Sequence, residues 1–124
     1  MRYILSIFIA IFITSCAINQ PTVTKSAVIL IKTPTMKYYD SGFISKYSDH
    51  IKLQIYNAGN TVLELTIYKD RVCKDRFACQ TSKEFNKQYL HKSYKDTFLY
   101  ELFSKPKIDF KDKQNHIKIK VLDL

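Results

Sequence analysis

Two neighbouring segments of the chain alternate between apolar and polar residues, and this pattern limits the possible folds more than any other feature of the sequence. The segments are residues 50–57 and 62–68. Alternation with a period of two places the apolar side chains on one face of a β-strand. The residues between the segments, with the sequence NAGN at positions 57–60, tolerate a positive φ. The pattern therefore predicts an antiparallel β-hairpin with one buried face.

A second pair of alternating segments closes the chain. Residues 108–110 and 117–121 lie on either side of a polar turn at residues 112–115. Two antiparallel hairpins, each with one apolar and one polar face, bury their apolar faces by stacking. We therefore predict a mainly β fold, an antiparallel β-sandwich.

The start of the domain predicts two further strands. Residues 27–31 form a continuous apolar and β-branched run, which is typical of a core strand that is covered on both faces. Residues 36–39 predict a short strand that ends at the turn-forming sequence Asp40-Ser41-Gly42.

Between the two hairpins the period changes from two to that of a helix. Thr81 and Glu84 have the spacing of a capping box, which marks the start of a helix. Pro106 ends a second helical stretch. The apolar residues at helical spacing are Phe85, Tyr89, Tyr94, Phe98, Leu99, Leu102 and Phe103. We expect one or two short helices inserted between the strands.

The N-terminus carries a targeting segment that is too short to span a membrane as a helix. Residues 3–13 are apolar except for Ser6, whereas a membrane-spanning helix needs about 20 apolar residues. The run ends in the sequence ITSC at residues 13–16, which resembles the bacterial lipobox. In lipoproteins with this motif, the cysteine thiol receives a diacylglyceryl group and the signal is cleaved before it. The alternatives are an ordinary signal peptide followed by an unrelated cysteine, and a buried N-terminal helix.

The lipobox implies a division of the chain into three parts. These are a cleaved signal peptide at residues 1–15, a lipidated Cys16 with a flexible tether at residues 16–25, and a β-sandwich domain at residues 26–124. Two or three acyl chains on Cys16, such as palmitate, anchor a protein durably because each buried CH₂ contributes about 0.8 kcal/mol. Ala17 rather than Asp follows the cysteine, and by the same resemblance this implies an outer-membrane protein that faces the periplasm or the cell surface.

The other two cysteines, Cys73 and Cys79, form an even pair in an exported chain. Five residues separate them, and a loop of this size closes into a disulfide that contributes about 2 kcal/mol. Redox pairs are usually spaced by two residues, and zinc half-sites by two to four. We predict a structural disulfide, with free thiols as the alternative.

The residues around this cysteine pair form a mixed-charge segment that contains one aromatic side chain. We name the following five residues the candidate recognition loop: Lys69, Arg71, Lys74, Arg76 and Phe77. Loops are polar and exposed by default, so a solvated turn is the alternative. A loop held on a rigid sheet is also where proteins place binding residues.

The sequence shows no pattern that indicates catalysis or metal binding. His50, His91 and His116 are scattered along the chain, and a metal site would require the fold to bring them together. A Gly-rich phosphate loop and a Gly-flanked serine nucleophile are both absent from the sequence, and Asp109 with Asp112 fits a turn better than a catalytic pair. We therefore expect no metal, no cofactor and no enzymatic activity.

The chain is strongly basic, with 20 Lys and Arg against 11 Asp and Glu and a formal charge of +9. Only three of the 20 are Arg, the residue that suits phosphate recognition in nucleic acids, and the chain is predicted to be exported. We therefore expect no nucleic-acid partner. The lysine-rich surface suits anionic lipid or acidic polysaccharide. An AT-biased genome, which favours codons for Lys, Ile, Phe and Tyr, is the alternative explanation of the charge.

The lipobox, the two hairpins, the cysteine pair and the abundance of Lys, Ile, Phe and Tyr together resemble small lipoproteins of epsilonproteobacteria. The resemblance implies a variant immunoglobulin-like β-sandwich with extra helical segments, and it transfers no catalytic residue. We expect a lipid-anchored, non-enzymatic binding or structural module in envelope assembly or adhesion, whose partner is another envelope or surface protein. The alternative is an inhibitor or immunity-type lipoprotein that blocks a periplasmic or host enzyme.

Overall fold

A computed structural model describes residues 20–124 of the chain. The predicted signal peptide at residues 1–15 and the lipobox cysteine Cys16 lie outside the described residues. The strands are β1 (Val23–Lys32), β2 (Lys37–Lys46), β3 (Ile51–Asn57), β4 (Asn60–Ile67), β5 (Arg71–Lys74), β6 (Ala78–Thr81), β7 (Asp109–Asp112) and β8 (Ile117–Asp123). The helices are α1 (Ser82–Tyr89) and α2 (Phe98–Ser104), and both lie between β6 and β7.

The eight strands of residues 20–124 form one antiparallel sheet in the order β6-β5-β4-β3-β2-β1-β8-β7. The first six strands follow one another as a meander, and the C-terminal hairpin β7–β8 pairs with the free edge of β1. The mainly β class is confirmed. The immunoglobulin-like sandwich of two stacked sheets is not confirmed, because β1 uses both of its edges and joins the two predicted hairpins into one hydrogen-bonded sheet.

One face of the sheet carries the hydrophobic core, and the two helices cover it. Ile29, Leu53 and Leu65 at the centre of the sheet are fully buried, and they share one cluster with Phe85 of α1 and Phe103 of α2. The helices therefore take the place that the sandwich prediction gave to a second sheet. We call the opposite side of the sheet the open face.

The first strand differs from its prediction in its length and in the number of its faces that are buried. It begins at Val23, which pairs with Lys46, so the sheet starts before the boundary predicted at Ser26. Val28 and Leu30 are only half-buried, because they point to the open face. The strand is therefore covered on one face and not on both.

The second strand continues through the sequence that was predicted to end it, so that prediction is wrong. Gly42 lies inside β2, between Ala27 of β1 and Ile55 of β3. A Cβ atom at this position would collide with the backbone carbonyl of Gln54 and approach the side chain of Ile29. The glycine allows close approach of neighbouring strands and makes no turn.

The two predicted hairpins and the helix start are confirmed. In the β3–β4 turn, Ala58 and Gly59 have φ values of 51° and 81°, which suits a two-residue hairpin turn with positive φ at both central positions. At the start of α1, the Thr81 hydroxyl accepts a hydrogen bond from the backbone N–H of Glu84 at 3.2 Å. Tyr94, which was predicted on the second helical stretch, lies before α2 in the connection between the helices.

Candidate binding site

A disulfide holds the hairpin β5–β6, on which part of the candidate recognition loop lies. Cys73 and Cys79 are directly opposite each other in the two strands and are covalently joined. The predicted disulfide is therefore confirmed. Asp75 and Arg76 in the turn have positive φ values of 55° and 74°, so the chain reverses tightly here without a glycine.

The tip of this hairpin is fixed to the body of the sheet by two further contacts. The backbone N–H of Asp75 donates to the carbonyl oxygen of Glu64 at 2.8 Å. Arg76 Nε lies 3.5 Å from the carboxylate of Glu64, and Lys52 Nζ lies 3.2 Å from its other oxygen. Glu64 is buried, and a buried carboxylate needs ion-pair partners. The two cations provide them. The tip is therefore restrained covalently and electrostatically.

Phe77 projects from this restrained tip into solvent. Its side chain is 92% exposed, more than any other large hydrophobic residue among residues 20–124. An aromatic ring in this state contributes little to the core, whereas a partner that covered it would gain its full burial. We define the hairpin tip as residues 75–77.

The other residues of the candidate recognition loop point elsewhere. Lys74 Nζ lies 5.1 Å from the ring centroid of Tyr89 on α1. Lys69 and Arg71 lie near the opposite end of β5 from Phe77, beside the turn that connects β4 to β5. The structure thus divides the five predicted residues: Arg76 and Phe77 lie on the hairpin tip, Lys74 lies at the end of β5 beside α1, and Lys69 and Arg71 lie near the start of β5.

At the start of β5, four side chains form a stacked column that the sequence analysis missed. The rings of Tyr47 and His50 are parallel within 11° at 4.3 Å, and His50 lies 5.0 Å from Tyr68. Arg71 Cζ is 3.7 Å from the centroid of Tyr68 and completes the column. Two of the four side chains come from the β2–β3 turn, and the other two come from the β4–β5 turn. These turns become neighbours only when β3 pairs with β4.

The two turns also share a local pattern that could have revealed the column. The backbone N–H of Tyr47 donates to the carbonyl of His50, and that of Tyr68 donates to Arg71, each at 2.9 Å. Each turn therefore begins with a tyrosine and ends with a planar nitrogen-containing side chain. This repeat was visible in the sequence once the β3–β4 hairpin was predicted.

A hollow of about 330 Å³ opens beside this column. We call it the turn hollow, and it is lined by Ser48, Asp49, Tyr68, Lys69, Asp70, Arg71 and Tyr100. The Lys69 ammonium lies 5.4 Å from the Tyr100 ring centroid, and Arg71 lies 3.4 Å from the Asp70 carboxylate. Charges of both signs beside two tyrosine side chains suit a polar ligand, such as a peptide segment of a partner protein.

One carboxylate that lines the turn hollow, that of Asp49, contacts His50 of the stacked column. His50 Nδ1 and Asp49 Oδ1 are 2.7 Å apart. This hydrogen bond holds the pKa of the Asp49 carboxyl below its usual value. The carboxylate is therefore ionised at neutral pH and fixes the orientation of the imidazole ring within the stack.

The three histidines lie in separate places. His50 is in the column, His91 Nδ1 lies 2.7 Å from the hydroxyl of Ser93, and His116 is in the β7–β8 turn with a φ of 57°. Within the described part of the chain, residues 20–124, no group of three or more His, Cys, Asp or Glu is placed to hold a metal ion. The helices of these residues are too short or too polar to span a membrane.

Asp112 has a structural role in the β7–β8 turn. Its carboxylate accepts hydrogen bonds from the Tyr94 hydroxyl at 2.6 Å and from the side chain of Asn115 at 2.7 Å. These bonds hold the pKa of Asp112 below its usual value, while burial and the bond to Asp112 raise the pKa of Tyr94. The pair connects the C-terminal hairpin to the segment between the helices.

Comparison of the chain with protein-family models, with curated proteins and with solved structures gave no match. The resemblance to epsilonproteobacterial lipoproteins and the lipid anchor on Cys16 therefore stay predictions from the sequence. The hairpin tip and the turn hollow are candidate binding features of residues 20–124.

Proposed function

We propose that the chain is a lipid-anchored, non-enzymatic binding module of the outer membrane. Acyl chains on Cys16 hold it to the membrane, facing the periplasm or the cell surface. Its hairpin tip contacts another envelope or surface protein in envelope assembly or adhesion. The observation that carries the proposal is Phe77, an aromatic side chain that is 92% exposed on a tip fixed by a disulfide.

The energetics of the hairpin tip support this role. Burial of a phenylalanine side chain contributes about 1.5–3 kcal/mol, and central aromatic anchors often dominate an interface. A tip that is already rigid loses little conformational entropy when it binds. The Cys73–Cys79 disulfide and the Arg76–Glu64 ion pair provide that rigidity. The turn hollow adds charged and aromatic groups for a longer contact.

The partner can be identified by photo-crosslinking in intact cells. A photoreactive phenylalanine analogue replaces Phe77, and the matched control carries the same analogue at Lys83, an exposed residue of α1. We expect adducts with an envelope or surface protein from position 77 and none from position 83. Equal yields from both positions would show that the hairpin tip is not the contact.

The identity of the adduct also distinguishes the alternative function. A protruding rigid tip suits an inhibitor that enters the cleft of an enzyme, so recovery of one soluble enzyme from position 77 would favour an inhibitor or immunity-type lipoprotein. The lipid anchor is tested separately with Cys16→Ser. If this variant is processed and fractionates with membranes like the original chain, the lipoprotein assignment is wrong.

A further inference from the structure

Four lysines form a continuous row across the open face of the sheet. Lys111 of β7 pairs with Lys118 of β8, Lys118 pairs with Lys32 of β1, and Lys32 pairs with Lys37 of β2. Directly paired residues of antiparallel strands point to the same face, and Lys118 alternates with buried isoleucines. With strands about 4.8 Å apart, this lysine row is about 14 Å long.

Within residues 20–124, none of the four lysines of this row forms an ion pair. Asp109, on the open face of β7, is paired in the ladder with a fifth lysine, Lys120. Like charges that are directly opposite each other destabilise a sheet, so an anionic ligand over the row would relieve this repulsion. A hollow of about 290 Å³ is lined by three of the four lysines, together with Asp112, His116 and Ile117.

Next to the lysine row, the open face carries apolar and aromatic side chains beside the Asp109–Lys120 pair. Leu30 is paired with Tyr39, and Val28 is paired with Leu122. Tyr39 is 65% exposed and Leu122 is 43% exposed. A dissolved polyanion would contact charges alone, whereas an anionic membrane surface offers phosphates and an apolar interface together. Tyrosine and lysine are the residues that settle at that interface.

We propose that the open face of β7, β8, β1 and β2 docks onto an anionic lipid bilayer. The lysine row lies against the headgroup phosphates, and Leu30, Tyr39 and Leu122 contact the bilayer interface. The proposal rests on the proposed function, because the anchor at Cys16 keeps the domain beside the membrane. The tether joins β1 at Val23, about 30 Å from the lysine row at Lys32, so β1 lies parallel to the bilayer when the domain is docked.

The chain contains no tryptophan, so a single tryptophan reports on the open face. The lipidated chain carrying Tyr39→Trp is inserted into vesicles of phosphatidylcholine alone or with about 30% phosphatidylglycerol. In the anionic vesicles, docking is expected to shift the tryptophan emission to shorter wavelength, and brominated acyl chains are expected to quench that emission. Neither change is expected with phosphatidylcholine alone. The control reporter is Lys87→Trp, an exposed position on α1 on the other side of the sheet, and its emission is expected to stay unchanged.

Charge reversal tests whether the lysine row causes the docking. Each lysine near an anionic surface contributes about fivefold to binding, so Lys32→Glu with Lys118→Glu is expected to reduce docking by at least about 25-fold. Lys83→Glu with Lys87→Glu changes the net charge equally on α1 and is expected to leave docking unchanged. Equal effects of the two double variants would overturn the proposal.

The vesicle experiment also distinguishes a failure of the docking proposal from a failure of the proposed lipid anchor. A chain that does not float with the vesicles overturns the anchor and the docking together. A chain that floats without a tryptophan shift overturns the docking alone. A shift caused by dissolved polyphosphate with phosphatidylcholine vesicles would assign the lysine row to a soluble polyanion and not to a membrane.

Discussion

The two edge hairpins of the sheet are stabilised in different ways. At one edge, β5–β6 is closed by the Cys73–Cys79 disulfide. At the other edge, β7–β8 is held without a covalent bond, through the hydrogen bonds that Asp112 accepts from Tyr94 and Asn115. The two edges therefore allow a comparison between a hairpin that is closed by a disulfide and a hairpin that is held by hydrogen bonds.

The difference is clearest in the phenylalanine of each hairpin. Phe110 of β7 packs against Phe98 at 4.9 Å and against Tyr94 at 5.8 Å, so its ring contributes to holding the hairpin in place. Phe77 makes no such contribution because its ring is exposed. In the hairpin with the disulfide the aromatic ring lies in solvent, whereas in the hairpin without one the ring is part of the packing.

The largest expected effect comes from the same substitution at the two edges. Phe110→Ala removes the packed ring and is expected to lower the free energy of unfolding by about 2–3 kcal/mol. Phe77→Ala is expected to change it by less than about 0.5 kcal/mol, because the ring is in solvent. Urea denaturation followed by circular dichroism measures both values. Similar losses for the two variants would show that the Phe77 ring packs on the protein.

An intermediate effect is expected from the disulfide. Replacing both cysteines, with Cys73→Ser and Cys79→Ser, is expected to lower the free energy of unfolding by about 2 kcal/mol, because the unfolded chain regains the freedom of the loop. Hydrogen exchange is expected to increase more in β5–β6 than in β7–β8, because β5–β6 also opens locally without the disulfide. The control is the original chain with a reductant, which should reproduce the variant. An equal increase in both hairpins would show that the edges are not independent.

The smallest effect is expected from the Tyr94–Asp112 hydrogen bond, and it depends on pH. Tyr94→Phe is expected to lower the free energy of unfolding by about 1 kcal/mol at pH 7. The pKa of Asp112 is lowered in the folded chain, so its contribution is present above about pH 4 and is lost as the pH falls below that value. The pKa of Tyr94 is raised, so its own contribution is present below about pH 10 and is lost at higher pH.

Urea denaturation at pH 7 and pH 3 checks this prediction. The difference between the original chain and Tyr94→Phe should be smaller at pH 3 than at pH 7, because the contribution of the ionised Asp112 carboxylate is lost as the pH falls through its lowered pKa. Tyr89→Phe is the matched control, since Tyr89 is another half-buried tyrosine, packed on Phe85 at 4.7 Å. A difference of the same size at both pH values would mean that the hydroxyl stabilises the hairpin without the ionised carboxylate.

Local features of the fold could be predicted from the sequence because local residues determine them. The β3–β4 hairpin follows from alternation around Ala58 and Gly59, and the start of α1 follows from Thr81 and Glu84. Gly42 was misinterpreted because a glycine that permits close strand approach looks the same in sequence as a glycine in a turn.

Features that combine distant segments could not be predicted in the same way. The sandwich prediction failed to foresee that one strand, β1, pairs on both sides. The stacked column at Tyr47 and Tyr68 and the lysine row from Lys111 to Lys37 both depend on strand register. Register is fixed by pairings between residues that are far apart in the sequence. The candidate recognition loop was therefore located around the disulfide, while its basic residues were divided between two ends of β5.

The outermost strands of the sheet, β6 and β7, have only four residues each. Exposed strand edges are templates for pairing with a second molecule, and short edges reduce that danger. This matters for a protein that is confined to a membrane surface, where the proposed anchor would bring many copies close together in two dimensions. The charges of Asp109 and Lys111 along β7 add to the protection. Edges built in this way allow dense packing on a membrane without sheet-to-sheet aggregation.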